Sequence, residues 1–273
     1  NLLKKPVTYA ITSGKGGVGK TSISVNLAIS CAMHGKKVLL IDSDLNLASI
    51  DVLMGITPRR TLSDVVIKSK NVRDIIIKTP YLVDLIPGYS GIIRMVDMED
   101  VIRNKILNQL SILEKEYDYV FIDTGAGIGK NVMGFLNIAE EPVIVISPEP
   151  ASIMDAYAVI KLLALNKNFY KLSVITNMTS SYDEAKDIFR KLRMVVKRFL
   201  NIEIIHLGYI LKDKLVLKAI KMQKPFIYSF PGSNASICIK AISESLIKNE
   251  KKRIKEIDIS FFHKLKNSVM DFV

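Results

Sequence analysis

The stretch Ser13-Gly14-Lys15-Gly16-Gly17-Val18-Gly19-Lys20-Thr21 decides the fold of this chain. It satisfies the pattern G-x-x-x-x-G-K-[ST], an apolar strand-like run precedes it, and a helical pattern follows it. Glycines let successive backbone N–H groups face inward at a helix N-terminus, where they bind anions. We therefore predict a phosphate-binding loop in which Lys20 meets the β- and γ-phosphates and the Thr21 hydroxyl ligates Mg²⁺. An ordinary glycine-rich turn is the alternative, which the filled positions disfavour.

The predicted loop holds a second lysine, Lys15, which needs its own reason because Lys20 already serves the phosphates. The string from Lys15 to Thr21 resembles the deviant Walker A motif of the MinD/ParA family of ATPases. The resemblance implies that Lys15 crosses a dimer interface to the partner subunit's nucleotide, so that ATP clamps two copies together. It also implies catalytic roles for Lys15 and Lys20, whereas a solvated loop lysine is the alternative. The loop residues expected to contact ATP or ADP are Gly14, Lys15, Gly16, Gly17, Val18, Gly19, Lys20, Thr21 and Ser22.

Length and composition agree with one large α/β domain. The chain has 273 residues, of which 49% are hydrophobic, and it shows no internal repeat or Gly/Ser/Pro-rich linker. We expect a single ATPase domain over residues 1–250, followed by a basic linker and an amphipathic helix over 251–273. No apolar run in the sequence approaches the roughly 20 residues that span a bilayer. Cys31 and Cys238 lie far apart, which predicts free thiols in a reducing cytoplasm.

Strand-like and helix-like segments alternate along the chain. Near-continuous apolar strands alternating with helices indicate a mostly parallel sheet covered on both faces. We therefore predict an α/β, three-layer P-loop NTPase fold, with ligands beyond the carboxyl ends of the strands. The predicted strands are 7–11, 37–41, 82–86, 119–122, 143–146, 172–176 and 202–207. The predicted helices lie near 20–34, 100–116, 131–139, 152–165, 182–200 and 233–248.

Carboxylates follow two of these predicted strands. Asp42 and Asp44 follow the second strand, and Asp123 follows the strand over 119–122. A carboxylate at a strand end can hold a metal-bound water, and one farther along can orient an attacking water. The resemblance implies that Asp44 is catalytic and that Asp42 supports the Mg²⁺ shell. Asp123 fits a Walker B carboxylate holding Mg²⁺ through water, with turn and helix-capping roles as the alternatives.

A later strand ends at Asn177, whose amide can pair with both the donor and the acceptor edge of adenine. The resemblance implies that Asn177 recognises the base and that Pro231 or its neighbours pack on the ring. An asparagine in a strand-to-helix turn is also common for conformational reasons alone.

Two further segments resemble the FlhG (FleN) group of this family, which regulates flagellar number and placement. They are Asp123-Thr124-Gly125-Ala126-Gly127 and Pro148-Glu149-Pro150-Ala151-Ser152-Ile153-Met154-Asp155-Ala156-Tyr157. This resemblance implies that the partners are flagellar assembly proteins, namely C-ring components and the SRP-type flagellar GTPase. An N-terminal Asp-Gln-Ala-x-x-Leu-Arg segment, which activates that GTPase, is not found here. We therefore expect that the chain is truncated or lacks this activity.

The C-terminal residues are lysine-rich and then amphipathic. Phe262, Leu265, Val269 and Phe272 fall at spacings of three, four and three, which predicts one apolar helical stripe. Such a helix would lie in an anionic membrane interface, where a single weak anchor becomes effective when dimerisation presents two. We thus predict a cytoplasmic protein associated peripherally with the inner face of the cell membrane. Packing of this helix on the protein's own core is the alternative.

The formal net charge of +12 keeps nucleic acid open as a partner. Lysine and arginine side chains form two basic helical stripes, which fit a ParA-type DNA partition ATPase, although solvated helix faces are more common. We therefore favour flagellar regulation over DNA partition and over a MinD-type division-site role with the same chemistry. An iron–sulfur carrier would need paired cysteines, which Cys31 and Cys238 do not supply. The stripes are Lys186, Arg190, Arg193 and Lys197, and Lys214, Lys218 and Lys221.

Overall fold

The computed structural model describes residues 6–44, 50–59, 64–65, 71–88, 108–109, 111–113, 115–166 and 171–253. Within these ranges eight strands form one sheet in the order β3-β4-β2-β5-β1-β6-β7-β8. The strands are β1 (Val7–Ser13), β2 (Val38–Ser43), β3 (Ile77–Lys78), β4 (Asp84–Ile86), β5 (Tyr119–Ala126), β6 (Glu141–Ile146), β7 (Ser173–Thr179) and β8 (Ile205–Leu211). Neighbouring strands run parallel except for β3, which pairs antiparallel with β4 at one edge.

Helices connect the strands and cover both faces of the sheet. In chain order they are α1 (Lys20–Met33), α2 (Ile50–Met54), α3 (Lys130–Ile138), α4 (Pro150–Asn166), α5 (Tyr182–Leu200), α6 (Lys214–Lys221), α7 (Phe226–Ser229) and α8 (Asn234–Arg253), and a 3₁₀ turn spans Val72–Ile75. Across the described ranges, none of the helices combines the length and the apolar character needed to cross a bilayer.

The alternation of side chains along the strands divides the core into two layers. In β1, Tyr9 and Ile11 pack on the face covered by α1, α7 and α8, while Ala10 packs on the face covered by α3, α4 and α5. All three side chains are almost fully buried. Successive strand residues point to opposite faces, so a sheet buried on both sides is apolar at nearly every position. The predicted three-layer α/β fold is therefore confirmed.

Element boundaries agree best with the sequence where the apolar pattern is long. Helix α5 spans the predicted residues 182–200, whereas β8 begins at Ile205 rather than at Ile202. The side chain of Ile202 packs against the core, but pairing with β7 starts only at Ile205. The two-residue strand β3 and the four-residue helix α7 carry too little pattern to be predicted. Most of the helix predicted near 100–116 lies outside the described residues.

The sheet order places the loop after β1 at the centre of the molecule. Strand β1 lies between β5 and β6; the connection from β1 leads to β2 on one side, whereas the connection from β6 leads to β7 on the other side. A crevice beyond the carboxyl ends of the strands is expected at such a point. The register pairs Asp42 of β2 with Asp123 of β5, and Asp123 with Ile11 of β1. Three chain segments distant in sequence therefore end side by side at this edge.

Candidate nucleotide-binding site

The loop between β1 and α1 curls tightly over the end of the sheet. Gly19 has a φ of 86°, in the left-handed region, and serves as the N-cap of α1 without a side-chain cap. Gly14 lies against α4, where a Cβ atom would come within 2.3 Å of the backbone carbonyl carbon of Asp155. The Gly127 N–H donates to the carbonyl of Ser13 at 2.8 Å, which ties the end of β5 to the start of the loop. Gly14 and Gly19 are therefore both required by the loop conformation, for different reasons.

Lys20 reaches down from the start of α1 into a buried polar cluster. Its ammonium Nζ lies 3.2 Å from Oδ1 of Asp123 and 3.9 Å from Oδ2 of Asp44. Ser24, one helical turn later, donates its hydroxyl to the same Asp123 oxygen at 2.8 Å. The Lys20 side chain is only 8% exposed and that of Asp123 is fully buried. The lysine of the loop, the carboxylate of β5 and the carboxylate after β2 thus lie in one cluster, together with Ser24, which the sequence did not identify.

Burial dominates the electrostatics of Asp123. Loss of solvent raises the pKa of its carboxyl, while the positive charge of Lys20 and the hydroxyls of Thr21 and Ser24 oppose the rise. Its second oxygen, Oδ2, is buried and has no hydrogen-bond partner among the described residues. A buried carboxylate oxygen left open beside a hydroxyl suits a magnesium ion, which retains several waters and takes few protein ligands. The residues present therefore fit Mg²⁺ at Thr21 and Asp123.

Asp42 and Asp44 differ in what they face. Asp42 is buried, and its two carboxylate oxygens accept the backbone N–H groups of Asp44 at 3.1 Å and of Ile50 at 3.4 Å. Its carboxylate thereby holds both ends of the segment between β2 and α2. Asp44 keeps 20% of its side chain exposed and points toward Lys20. Of the two carboxylates, Asp44 is thus the one that solvent reaches.

Lys15 lies outside this buried cluster. Its ammonium forms an ion pair with Glu149, at the start of α4, and their side chains are 34% and 63% exposed. Glu149 belongs to the Pro-Glu-Pro block noted in the sequence, but that pattern did not indicate which residue it would face. The two lysines of one loop are therefore separated by environment, one beneath the loop and one at the surface.

An apolar cavity of about 190 Å³ opens beside the loop. Asn177 lies at its boundary and donates its side-chain amide to the carbonyl of Val18 at 2.8 Å. Pro231 is not among the residues that line this cavity. The sequence did not identify the opposite wall, formed by the end of β8 and by α6. The lining residues on these elements include Ile210, Leu211, Asp213, Val216, Leu217 and Ile220.

At this wall of the cavity, the carboxylate of Asp213 joins the two helices α6 and α8. Asp213 caps α6 by accepting the N–H of Leu215 at 2.9 Å, and its other oxygen accepts the N–H of Ala235 at 3.2 Å. A carboxylate at the N-terminus of a helix satisfies N–H groups that have no partner within that helix. Asp213 therefore fixes α6 beside the cavity and against α8.

The predicted C-terminal amphipathic stripe lies outside the described residues.

Comparisons with known proteins identify relatives of this chain. A family profile described as an AAA domain matches residues 7–174. The antiactivator FleN of Pseudomonas aeruginosa is 40% identical over 87% of this chain and 85% of its own length. The flagellum site-determining protein YlxH of Helicobacter pylori is 35% identical over 79% of this chain and 73% of its own length.

A solved structure extends the comparison to the fold. The cell division protein MinD of Aquifex aeolicus superimposes with a TM-score of 0.68 at 27% identity, covering 93% of this chain and 99% of the other. Both the phosphate-binding loop and Asp123 fall within the range matched by the family profile. The chain therefore belongs to the MinD/ParA family, and it is an ATPase of the P-loop class.

Proposed function

We propose that this protein is an ATP-dependent dimerising switch that regulates flagellar number or placement. The similarity to FleN and YlxH, whose names refer to antiactivation and to flagellar site determination, supports the flagellar role. The observation that carries the switch mechanism is the separation of the two loop lysines. Lys20 is committed to a buried carboxylate, whereas Lys15 is held at the surface by one exposed glutamate.

In this proposal ATP with Mg²⁺ occupies the loop from Gly14 to Thr21. Bound Mg²⁺ would neutralise phosphate charge and polarise the phosphoryl oxygens. Thr21 and Asp123 would hold the ion, the latter through water, and Lys20 would turn from Asp123 toward the phosphates. Asp42 would support this shell indirectly, because its carboxylate fixes the backbone that carries Asp44.

Lys15 would leave Glu149 and reach the nucleotide of a second copy. An exposed ion pair contributes little free energy, typically about 0–1 kcal/mol, so a bound triphosphate can replace it. Apolar side chains around the same edge of the sheet support a protein contact there. Ile128, Met154 and Leu217 are 53%, 73% and 65% exposed, and they belong to three segments that border the loop: the β5–α3 connection, α4 and α6. A face that combines exposed apolar groups with displaceable charge fits a transient interface.

Hydrolysis would return the dimer to monomers. Asp44 is solvent-accessible and lies near Lys20, where it would orient the attacking water. Gly125 and Gly127 lie beside Asp44 and the loop, so the β5–α3 segment has room to rearrange around the γ-phosphate. Loss of that phosphate would remove the group that Lys15 contacts in the partner.

The division into an ATPase domain over 1–250 and a membrane-binding segment over 251–273 remains part of this proposal. Dimerisation would present two such segments to an anionic membrane and bring flagellar assembly proteins to the cytoplasmic face. C-ring components and the SRP-type flagellar GTPase are the partners we propose.

The structure offers less support for DNA as the partner. Three of the four cations in the α5 stripe form ion pairs with nearby carboxylates. Arg190 pairs with Asp187, and Arg193 and Lys197 both pair with Glu203. Each pair lowers the charge available to phosphates. Retention on random duplex DNA that requires ATP and falls with salt would instead favour the partition function.

A genetic experiment tests the flagellar role directly. In the source organism, deletion of the gene should change the number or position of flagella counted by electron microscopy. The wild-type gene should restore the original pattern, and the Lys15→Ala gene should not, although its product should still bind ATP as a monomer. An unchanged flagellar pattern after deletion would contradict the proposal.

A further inference from the structure

We propose that Asn177 is a positioning residue for the phosphate-binding loop, beyond any contact it makes with the base. The proposal rests on the nucleotide site proposed above. Its structural basis is the hydrogen bond from the Asn177 amide to the Val18 carbonyl, 2.8 Å long and buried. Val18 directly precedes Gly19, the residue at which the loop turns into α1.

The backbone around Asn177 is shaped to aim its side chain at the loop. The pairing of β7 with β8 shifts register twice, once between Val174 and Ile175 and again between Thr176 and Thr179, where β7 carries the extra residue. Met178 within this bulge has a φ of 61°, in the left-handed region that residues other than glycine seldom adopt. Bulges next to functional sites commonly redirect a side chain. Here the bulge turns Asn177 out of the strand pattern and onto the loop.

The loop is shaped to receive this amide. A Cβ atom on Gly19 would lie 2.4 Å from the Asn177 Nδ2 atom, so glycine is required for the amide to approach. Asn177 is 7% exposed, and its contact with Val18 lies between the loop and the apolar cavity. The second amide hydrogen and the Oδ1 oxygen remain available for a base, because the Val18 bond uses only one hydrogen. One side chain therefore links the cavity to the phosphate cradle.

This arrangement makes a prediction that a pure base-recognition role does not. If Asn177 only recognises adenine, its removal weakens the binding of ATP and does not change the binding of a ligand that has no base. If Asn177 holds the loop, its removal leaves the Val18 carbonyl without its donor and loosens the N–H groups that bind phosphate. Affinity for inorganic tripolyphosphate then falls as well, roughly tenfold for one buried hydrogen bond, and affinity for ATP falls by at least the same factor.

The experiment measures binding of Mg-ATP and of Mg-tripolyphosphate by calorimetry and by thermal stabilisation. It compares the wild type, Asn177→Ala and Val216→Ala, the last of which shortens a side chain on the far wall of the cavity. We expect Asn177→Ala to weaken the binding of tripolyphosphate roughly tenfold and that of ATP at least as much, and Val216→Ala to weaken the binding of ATP alone. Binding stoichiometry near one per chain shows that each variant is folded. Asn177→Ser replaces Asn177→Ala if the latter does not unfold cooperatively.

The outcomes separate this proposal from the proposed function. If the Asn177 variants lose affinity for ATP but not for tripolyphosphate, the positioning role is overturned and base recognition remains. Wild-type protein that binds ATP but shows no response to tripolyphosphate would also overturn it, because the loop would then not be a preformed phosphate cradle. Wild-type protein that binds neither ligand would instead refute the nucleotide site itself.

Discussion

Replacing each of the two loop lysines by methionine should have very different effects on the stability of the apoprotein. Lys20→Met removes the ammonium group from a pair with a fully buried carboxylate, whereas Lys15→Met removes it from a pair at the surface. Methionine keeps most of the aliphatic volume of lysine, so that packing changes little. The two variants therefore differ mainly in how deeply the removed charge is buried.

The expected magnitudes follow from burial. Removing one partner of a buried ion pair typically costs about 3–5 kcal/mol, because the remaining charge stays in a medium that solvates it poorly. An exposed pair contributes about 0–1 kcal/mol. In a chain of this size, 1 kcal/mol corresponds to roughly 2–4 °C in melting temperature. Lys20→Met should therefore lower the melting temperature by on the order of 10 °C, and Lys15→Met by no more than about 4 °C.

Thermal unfolding without nucleotide, followed by circular dichroism, measures both changes. The double variant Lys20→Met/Asp123→Asn is the matched control, because it removes both charges and leaves no buried ion unpaired. It should regain most of the stability lost in Lys20→Met. Equal melting temperatures for the two single variants, or a double variant no more stable than Lys20→Met, would refute the assignment of Lys20 and Asp123 as a buried pair.

Three further predictions concern the charges and the C-terminal segment. The pKa of Asp123 is raised in the folded protein, so the proton it binds stabilises the fold at low pH, and this contribution is lost as the pH rises above the unfolded value of 3.8. The stability of Asp123→Asn relative to the wild type should therefore rise as the pH increases above about 4 in denaturant titrations, and a difference that is independent of pH would contradict this. Glu149→Gln removes the ion pair of Lys15 and should lower the protein concentration at which ATP induces dimers, by up to about fivefold. Sedimentation velocity measures this concentration. A weaker dimer in the variant would show that Glu149 stabilises the interface. Deleting residues 257–273 should abolish co-sedimentation with anionic liposomes in ATP, whereas undiminished binding would exclude this segment as the anchor.

The sequence was sufficient to predict the layers of the fold and the centre of the site. The spacing of the glycines, the lysine and the threonine from Gly14 to Thr21 is typical of phosphate binding. The apolar strands around this loop specify a sheet buried on both faces. Asp123 could be placed near Lys20 because carboxyl ends of parallel strands share one edge. These inferences depend on local patterns and on a topological rule, both of which the sequence displays.

Contacts between distant segments could not be predicted in the same way. Glu149 meets Lys15 and Asn177 meets Val18 across separations of 134 and 159 residues. Nothing in the local pattern of either segment specifies its partner. The cavity wall illustrates a second difficulty, because α6 combines lysines with apolar residues and therefore resembles a solvated surface helix. Several of its apolar side chains line the cavity, and the contact that holds α6 there, from Asp213 to α8, is not visible in the local sequence.

The measurement that tests the central proposal most directly is the mass of the Asp44→Ala protein in solution with Mg-ATP, determined by light scattering after size exclusion. Without Asp44 to orient water, ATP should persist, and the protein should elute at twice the monomer mass. The same protein with ADP, and the Asp44→Ala/Lys15→Ala variant with ATP, should remain monomeric. An Asp44→Ala protein that binds ATP yet stays monomeric, or a dimer that forms equally well without Lys15, would contradict the proposal that each subunit contributes a lysine to its partner's nucleotide.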